Sequence, residues 1–117
     1  MKILIIINDA PYGTEKAYNA LRLAMNIQKE KAEAEVVIFL MADAVGCAIP
    51  NQITPNGYYN IERMLKSVIM KNGKVKSCGT CLDARGLSSV QLIEGIDRSN
   101  MQELTNLTLG SEKVITF

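Results

Sequence analysis

The sequence predicts an α/β fold: a single three-layer domain, residues 1–117, with a mostly parallel sheet flanked by helices. Three observations lead there. Short apolar runs rich in β-branched residues recur without polar alternation, at Lys2 to Ile7 and at Glu35 to Met41. Strands buried on both faces of a parallel sheet read that way. Segments with apolar residues at helical spacing lie between the strand runs, and the resulting order β-α-β-α-β-loop-α-β calls for crossover connections. Finally, 117 residues with 48% hydrophobic content suffice for one core and sit near the usual size of one domain.

The elements follow in order. Lys2 to Ile7 is too short for a helix and is the first strand. Asn8 to Gly13, with Pro11 and Gly13, turns the chain, and Thr14 is the expected N-cap of a helix whose first turn carries Glu15. Ala17, Ala20, Leu21, Ala24 and either Ile27 or Gln28 form its buried stripe. Glu35 to Met41 is the second strand. Asp43 is expected to cap one short turn that Gly46 loosens, and Asn51 to Gly57, with Pro55, reads as an irregular surface loop. Ile61, Met64, Leu65, Val68 and Ile69 mark the next helix, with Gly73 as its C′ residue. Lys74 to Cys78 is a short third strand. Ser88 to Ile96 fits a helical turn or a short strand equally well. Ser99 with Gln102 suggests a capping box for a last helix that Gly110 stops, and Val114 to Phe117 is a terminal strand.

Composition narrows the chemistry. Aromatics are only 5% and tryptophan is absent, so the core is aliphatic. A net charge of +1 argues against nucleic acid as a partner. The opening apolar run is too short for a signal core, and Asn8-Asp9 follow where small residues would stand. No apolar run approaches the roughly 20 residues of a spanning helix. No membrane association is expected, and with three cysteines, an odd number, a reducing cytoplasmic location fits best. Histidine is absent, which removes Ser-His and Cys-His nucleophile pairs and every imidazole metal ligand within the chain.

What chemistry remains centres on Lys74-Val75-Lys76-Ser77-Cys78-Gly79-Thr80-Cys81-Leu82-Asp83-Ala84-Arg85-Gly86, where two cysteines meet turn residues at a strand end. Structural zinc wants four ligands, often as two Cys-x-x-Cys pairs, and no second pair exists; Cys47 with Asp43 or Asp83 is the only makeshift complement. A thioredoxin-like dithiol wants a helix running straight out of the motif and a cis-proline opposite it, while the prolines here all lie upstream. A single nucleophilic thiol that carries a group needs no base, metal or organic cofactor. Gly79 and Thr80 would supply loop amides to its anion, and Lys76 and Arg85 positive charge. The same surroundings suit a terminal persulfide. Against all three stands the reading of both cysteines as small buried hydrophobes. That reading is the expected one for Cys47, set among Ala44, Val45, Ala48 and Ile49. Asn8 and Asp43 follow strand ends and are candidate hydrogen-bonding residues at the same rim, or plain turn formers.

These residues resemble the DsrE/DsrF-like sulfur-relay family, most closely its small YchN-like branch. The likeness spans nearly the whole chain: the Lys2 to Ile7 strand with Asn8-Asp9-x-Pro11-Tyr12-Gly13, then Phe39-Leu40-Met41-x-Asp43-Ala44-Val45, the cysteine loop itself, and Ser99-x-Met101-x-Glu103-Leu104. The resemblance implies a DsrE/DsrF-like domain of flavodoxin-like topology. It also implies a sulfur-transfer role, that of a sulfurtransferase or relay protein, in which Cys78, followed at the family's distance by Arg85-Gly86, carries sulfane sulfur. It further implies homo-oligomers, trimers or hexamers, working with sulfur-donor and acceptor proteins. Cys81 stands where many relay members keep a small apolar residue, which admits a Cys78–Cys81 disulfide that releases sulfide. The alternatives left open are an oligomeric binding module with structural or metal-binding loop cysteines, and a Cys78/Cys81 dithiol redox sensor.

Overall fold

A computed structural model of the chain describes residues 1–54 and 56–117; of the loop expected at Asn51 to Gly57, Pro55 therefore lies outside the described residues. Five parallel strands form one sheet in the order β4-β3-β2-β1-β5. They are β1 (Lys2–Ile7), β2 (Glu35–Leu40), β3 (Lys74–Cys78), β4 (Ile96–Ser99) and β5 (Lys113–Thr116). The helices are α1 (Lys16–Glu30), α2 (Ile61–Met70), α3 (Gly79–Asp83) and α4 (Met101–Gly110), with a 3₁₀ stretch at Ala42–Ala48. The three-layer parallel architecture holds as expected. Its strand order departs from the 2-1-3-4-5 order of flavodoxin-like sheets.

The sheet is buried on both faces because β1 and β2 are apolar at every position after the first. Ile3, Ile5 and Ile7 of β1 pack with Val36, Ile38 and Leu40 under α1 and α2. Leu4, Val37 and Phe39 point the other way, toward Leu82 of α3 and Leu104 of α4. The crossovers from β1 to β2 to β3 place α1 and α2 on one face, and the return from β4 to β5 carries α4 across the other. Three alanines of α1, Ala17, Ala20 and Ala24, are fully buried and let that helix lie close to the sheet. Gln28, rather than Ile27, completes the stripe, its Nε2 donating to the Val68 and Lys71 carbonyls at the end of α2.

Several local expectations are corrected. Helix α1 begins at Lys16 with Glu15 at the N-cap, while Thr14 accepts a weaker bond from the Lys16 amide at 3.4 Å. The 3₁₀ stretch runs through Gly46 rather than breaking there. At the end of α2, Asn72 takes the left-handed conformation at C′ (φ 69°). Gly73 instead permits close approach: a Cβ there would meet Val68 Cγ1 at 2.5 Å. The bonds from the Asn72 amide to Ile69 and from the Gly73 amide to Val68 complete a Schellman ending. Residues 84–95 form irregular structure, and the strand that follows them is Ile96–Ser99. Helix α4 is capped by Asn100, which accepts the Glu103 amide at 2.9 Å, and not by a Ser99–Gln102 box; it includes Gly110.

All strands being parallel, their C-terminal ends share one rim, where Asn8, the 3₁₀ stretch and Cys78 gather. The reversal of strand order falls at β1 and β5, where such sheets usually open a crevice. At that place both the amide and the Nδ2 of Asn8 donate to the Phe117 carbonyl. Among the described residues no helix is long and apolar enough to cross a membrane.

Candidate functional site

Cys78 is the last residue of β3 and the N-cap of α3, with φ −62° and ψ 119°. A strand of five residues and a helix of five meet at this one side chain. The chain turns so sharply here because Gly79 lies against β4. A Cβ on Gly79 would stand 2.9 Å from Arg98 Nε and 3.0 Å from the Ser99 carbonyl oxygen. Arg98 in turn reaches both carboxylate oxygens of Asp83 with one nitrogen, at 2.6 and 2.7 Å, tying the far end of α3 to the same strand. A second tie runs from Arg85, whose Nε and Nη2 meet Asp43 at 3.0 and 2.9 Å while its Nη1 donates to the Cys81 carbonyl at 3.1 Å. A helix this short is not self-supporting. It is held by these two ion pairs and by Leu82, which is buried against Phe39 and Leu104.

The two thiols differ in their surroundings. Cys78 is 5% exposed and packs among Leu4, Val37, Phe39, Val45 and Leu82, while Cys81 is half-buried. Burial, the largest single influence on Cys78, pushes its thiol up. Hydrogen bonding from the Thr80 hydroxyl, the Cys81 thiol and the Cys81 and Thr80 amides outweighs burial, and the net effect lowers Cys78 below the ordinary thiol value. The Thr80 hydroxyl lies 3.3 Å from Cys78 Sγ. The neutral Cys78 side chain makes no capping bond of regular geometry to these amides, so their pull is exerted on the anion. Cys81 is raised, first by burial and then by its hydrogen bond to Cys78 and the charge there; the Ala42 amide and Arg85 act against this. The pair thus arranges one thiol to ionise and the other to keep its proton.

Ala42 is the least expected member of the group. Its amide donates to Cys81 Sγ at 3.2 Å, and its φ of 50° is left-handed without being glycine. Such a conformation costs about 1–2 kcal/mol. Bonds from Met41 N to Ile7 O and from Ala44 N to Met41 O hold the backbone on either side of it.

Of the residues singled out from the sequence, Cys78, Gly79, Thr80, Cys81, Arg85 and Asp43 come together at this corner. Lys76 does not join them: its ammonium group is held by Asp97 at 3.2 Å and Glu103 at 3.5 Å. Burial depresses the Lys76 amine, yet the two carboxylates more than offset it, so its net value is raised. Asn8 is likewise committed elsewhere, to the Phe117 carbonyl. Neither Lys76 nor Arg85 is among the groups that lower Cys78, so the expected electrostatic support gives way to short-range hydrogen bonding. Arg98 and Ala42 are the participants that sequence reasoning missed, while Asp83, weighed there only as a makeshift metal ligand, pairs with Arg98 instead. Arg98 carried no signal, being distant in sequence; Ala42 has no side chain to betray its backbone role.

Cys47 lies on the other side of the sheet, 1% exposed in the α1/α2 core, and burial pushes its thiol up to about 12. It therefore stands apart from the Cys78/Cys81 corner as a potential fellow ligand. Among the described residues no group of three or more Cys, Asp and Glu side chains converges on a point that would hold a metal ion.

Comparison with known proteins gives a consistent picture. A model of the DsrE/DsrF-like family matches residues 1–117. Protein YchN of Escherichia coli (strain K12) is 41% identical over 116 residues, covering 99% of this chain and 98% of that protein. Protein MJ0989 of Methanocaldococcus jannaschii, described as uncharacterized, is 41% identical over 117 residues, the full length of both. The crystal structure of YchN from E. coli superimposes with a TM-score of 0.95, covering 100% of this chain and 99% of that one. MTH1491 from Methanobacterium thermoautotrophicum, a protein of unknown function, gives a TM-score of 0.73 at 16% identity over 99% of this chain and 98% of its own, a likeness of fold alone.

Proposed function

Because this chain belongs to the DsrE/DsrF-like family, we propose that it is a sulfur-transfer protein in which Cys78 accepts sulfane sulfur as a persulfide and passes it to a partner thiol. The observation that carries this reading is the placement of the Cys78 sulfur. It sits at the β3–α3 junction, 3.3 Å from the Thr80 hydroxyl and at the head of a helix whose Thr80 and Cys81 amides also draw its thiol down. Those donors favour the anion that attacks a sulfane donor, in a chain without histidine to serve as base. Thr80, Gly79, Arg85 and Asp43 support the thiol by shaping and tethering α3.

The 5% exposure of Cys78 requires that α3 move for sulfur to enter or leave. That movement works against two ion pairs that are partly exposed, each worth about 1 kcal/mol or less, and against the burial of Leu82 in a helix of only five residues. On this reading the partners are sulfur-donor and acceptor proteins in the cytoplasm, and the protein works as a homo-oligomer. Ile53 and Met70, 97% and 83% exposed on the rim of one open cavity beside Arg63 and Lys66, supply apolar surface for such an assembly. Light scattering reads that part directly, and a monomer at working concentration would remove it.

The test of the carrier is intact mass after anaerobic incubation with a low-molecular-weight persulfide. Read in a Cys81→Ser background, where no neighbouring thiol can displace the added sulfur, the expected result is a gain of one sulfur atom that depends on Cys78. A gain that persists in Cys78→Ser would overturn the assignment.

A further inference from the structure

Cys78 and Cys81 occupy the N-cap and third positions of α3, the two positions whose side chains face each other across the first turn of a helix. Cys81 Sγ receives the Ala42 amide at 3.2 Å, and Cys78 Sγ lies 3.3 Å from the hydroxyl of Thr80, on the turn between the two cysteines. Cys78 is the more deeply buried of the two. A thiol arriving from solution meets α3 before it reaches Cys78, whereas Cys81 is already in place. For groups positioned in this way the effective concentration is millimolar or far higher. A sulfur on Cys78 therefore has an internal thiol as its nearest reaction partner.

We propose that the chain has a second activity beyond carriage: it reduces persulfide sulfur to sulfide, with Cys81 as the resolving thiol and small-molecule or protein-bound persulfides as the substrate class. The proposal rests on the carrier reading of Cys78. In the first step the Cys78 thiolate attacks the outer sulfur of the donor persulfide, and the donor leaves as its thiolate. The Cys81 proton then passes to the outer sulfur now held on Cys78. The Cys81 thiolate so formed attacks Cys78 Sγ, the bond from that atom to the outer sulfur breaks, and the outer sulfur leaves with the electron pair as hydrosulfide. The two cysteines end as a disulfide, having supplied the two electrons that reduce the sulfane sulfur. An external dithiol, or two molecules of a monothiol, returns them to the starting state. The Ala42 amide is placed to stabilise the charge that develops on Cys81, and the Cys81 carbonyl is anchored by Arg85.

The test uses the full chain, reduced, freed of reductant and treated anaerobically with glutathione persulfide. Released sulfide and intact mass are followed together. The parent is expected to lose two hydrogens and release about one equivalent of sulfide per chain. Cys81→Ser is expected to retain the added sulfur, with sulfide release lowered by about ten-fold or more. Cys81→Ala repeats the measurement, and urea unfolding of both variants confirms that they are folded. A parent that keeps its extra sulfur as stably as Cys81→Ser, or variants that release sulfide as fast as the parent, would overturn the reductive step while leaving the carrier intact. Failure of both Cys81 variants to take up sulfur, with both folded, would overturn the carrier and the reductive step together.

Discussion

Replacing Gly79 with alanine tests how the cysteine turn is seated. The new methyl carbon would stand 2.9 Å from Arg98 Nε, 3.1 Å from Arg98 Cζ and 3.0 Å from the Ser99 carbonyl oxygen. Non-bonded heavy atoms prefer about 3.5–4.0 Å, so all three contacts are repulsive. Gly79 is not among the residues of positive φ, so the effect comes from packing and not from backbone conformation. Arg98 can swing aside, at the cost of its bonds to Asp83. Ser99 cannot, because it is paired with Cys78 in the β3–β4 ladder. Overpacking of this kind costs about 1–3 kcal/mol, and the gain in helix propensity from glycine to alanine returns at most about 1 kcal/mol. Urea unfolding should therefore show a net loss of about 1–2 kcal/mol. In an Arg98→Ala background two of the three contacts vanish, and the penalty should fall by more than the ~0.5 kcal/mol scatter of independent sites. In the single variant, α3 shifts and carries Thr80 and Cys81 away from the Cys78 sulfur, so alkylation of Cys78 moves to higher pH. A Gly79→Ala protein as stable as the parent, or an equal penalty in both backgrounds, would refute the close contact with β4.

Three further outcomes follow from named contacts. Thr80→Val removes the hydroxyl 3.3 Å from Cys78 Sγ, which favours the anion; the pH profile of iodoacetamide alkylation at Cys78 should move upward, and an unmoved profile would show that the hydroxyl does not act on the thiolate. Cys47, with its thiol raised from 9.0 to about 12 by burial, stabilises the fold fully below pH 9 and loses that contribution as pH rises toward 12, because only the unfolded thiol ionises in that window. Stability measured across it should fall less steeply in Cys47→Ala, and parallel curves would contradict this. Asn100→Ala leaves the Glu103 amide without its 2.9 Å cap and should cost about 1 kcal/mol in urea unfolding; a variant as stable as the parent would mean that the cap contributes nothing to α4.

Much of the fold was legible because apolar content and periodicity are local properties. Strands β1 and β3 and the buried stripes of α1 and α2 stand where their side-chain patterns place them. Strand β4 was not legible: Ile-Asp-Arg-Ser buries only its ends, and it becomes a strand by pairing with β3. Helix caps were misplaced by one residue at Thr14 and Ser99, since neighbouring polar residues compete for the same amides and only the backbone path decides among them. The same holds for Asn72 and Gly73, where asparagine takes the left-handed turn and glycine makes room for Val68.

The candidate site divides along the same line. By itself the sequence singled out Cys78 and Cys81 as the candidates for reactive chemistry, because histidine is missing and the thiols sit three residues apart at a strand end. The tertiary structure decided which groups act on them. Lys76, adjacent in sequence to the cysteine turn, is neutralised by Asp97 and Glu103, while Ala42, thirty-nine residues from Cys81, supplies an amide to its sulfur. Hydrogen bonds act over about 3 Å, and only the packing of the sheet and its rim sets which atoms come that close.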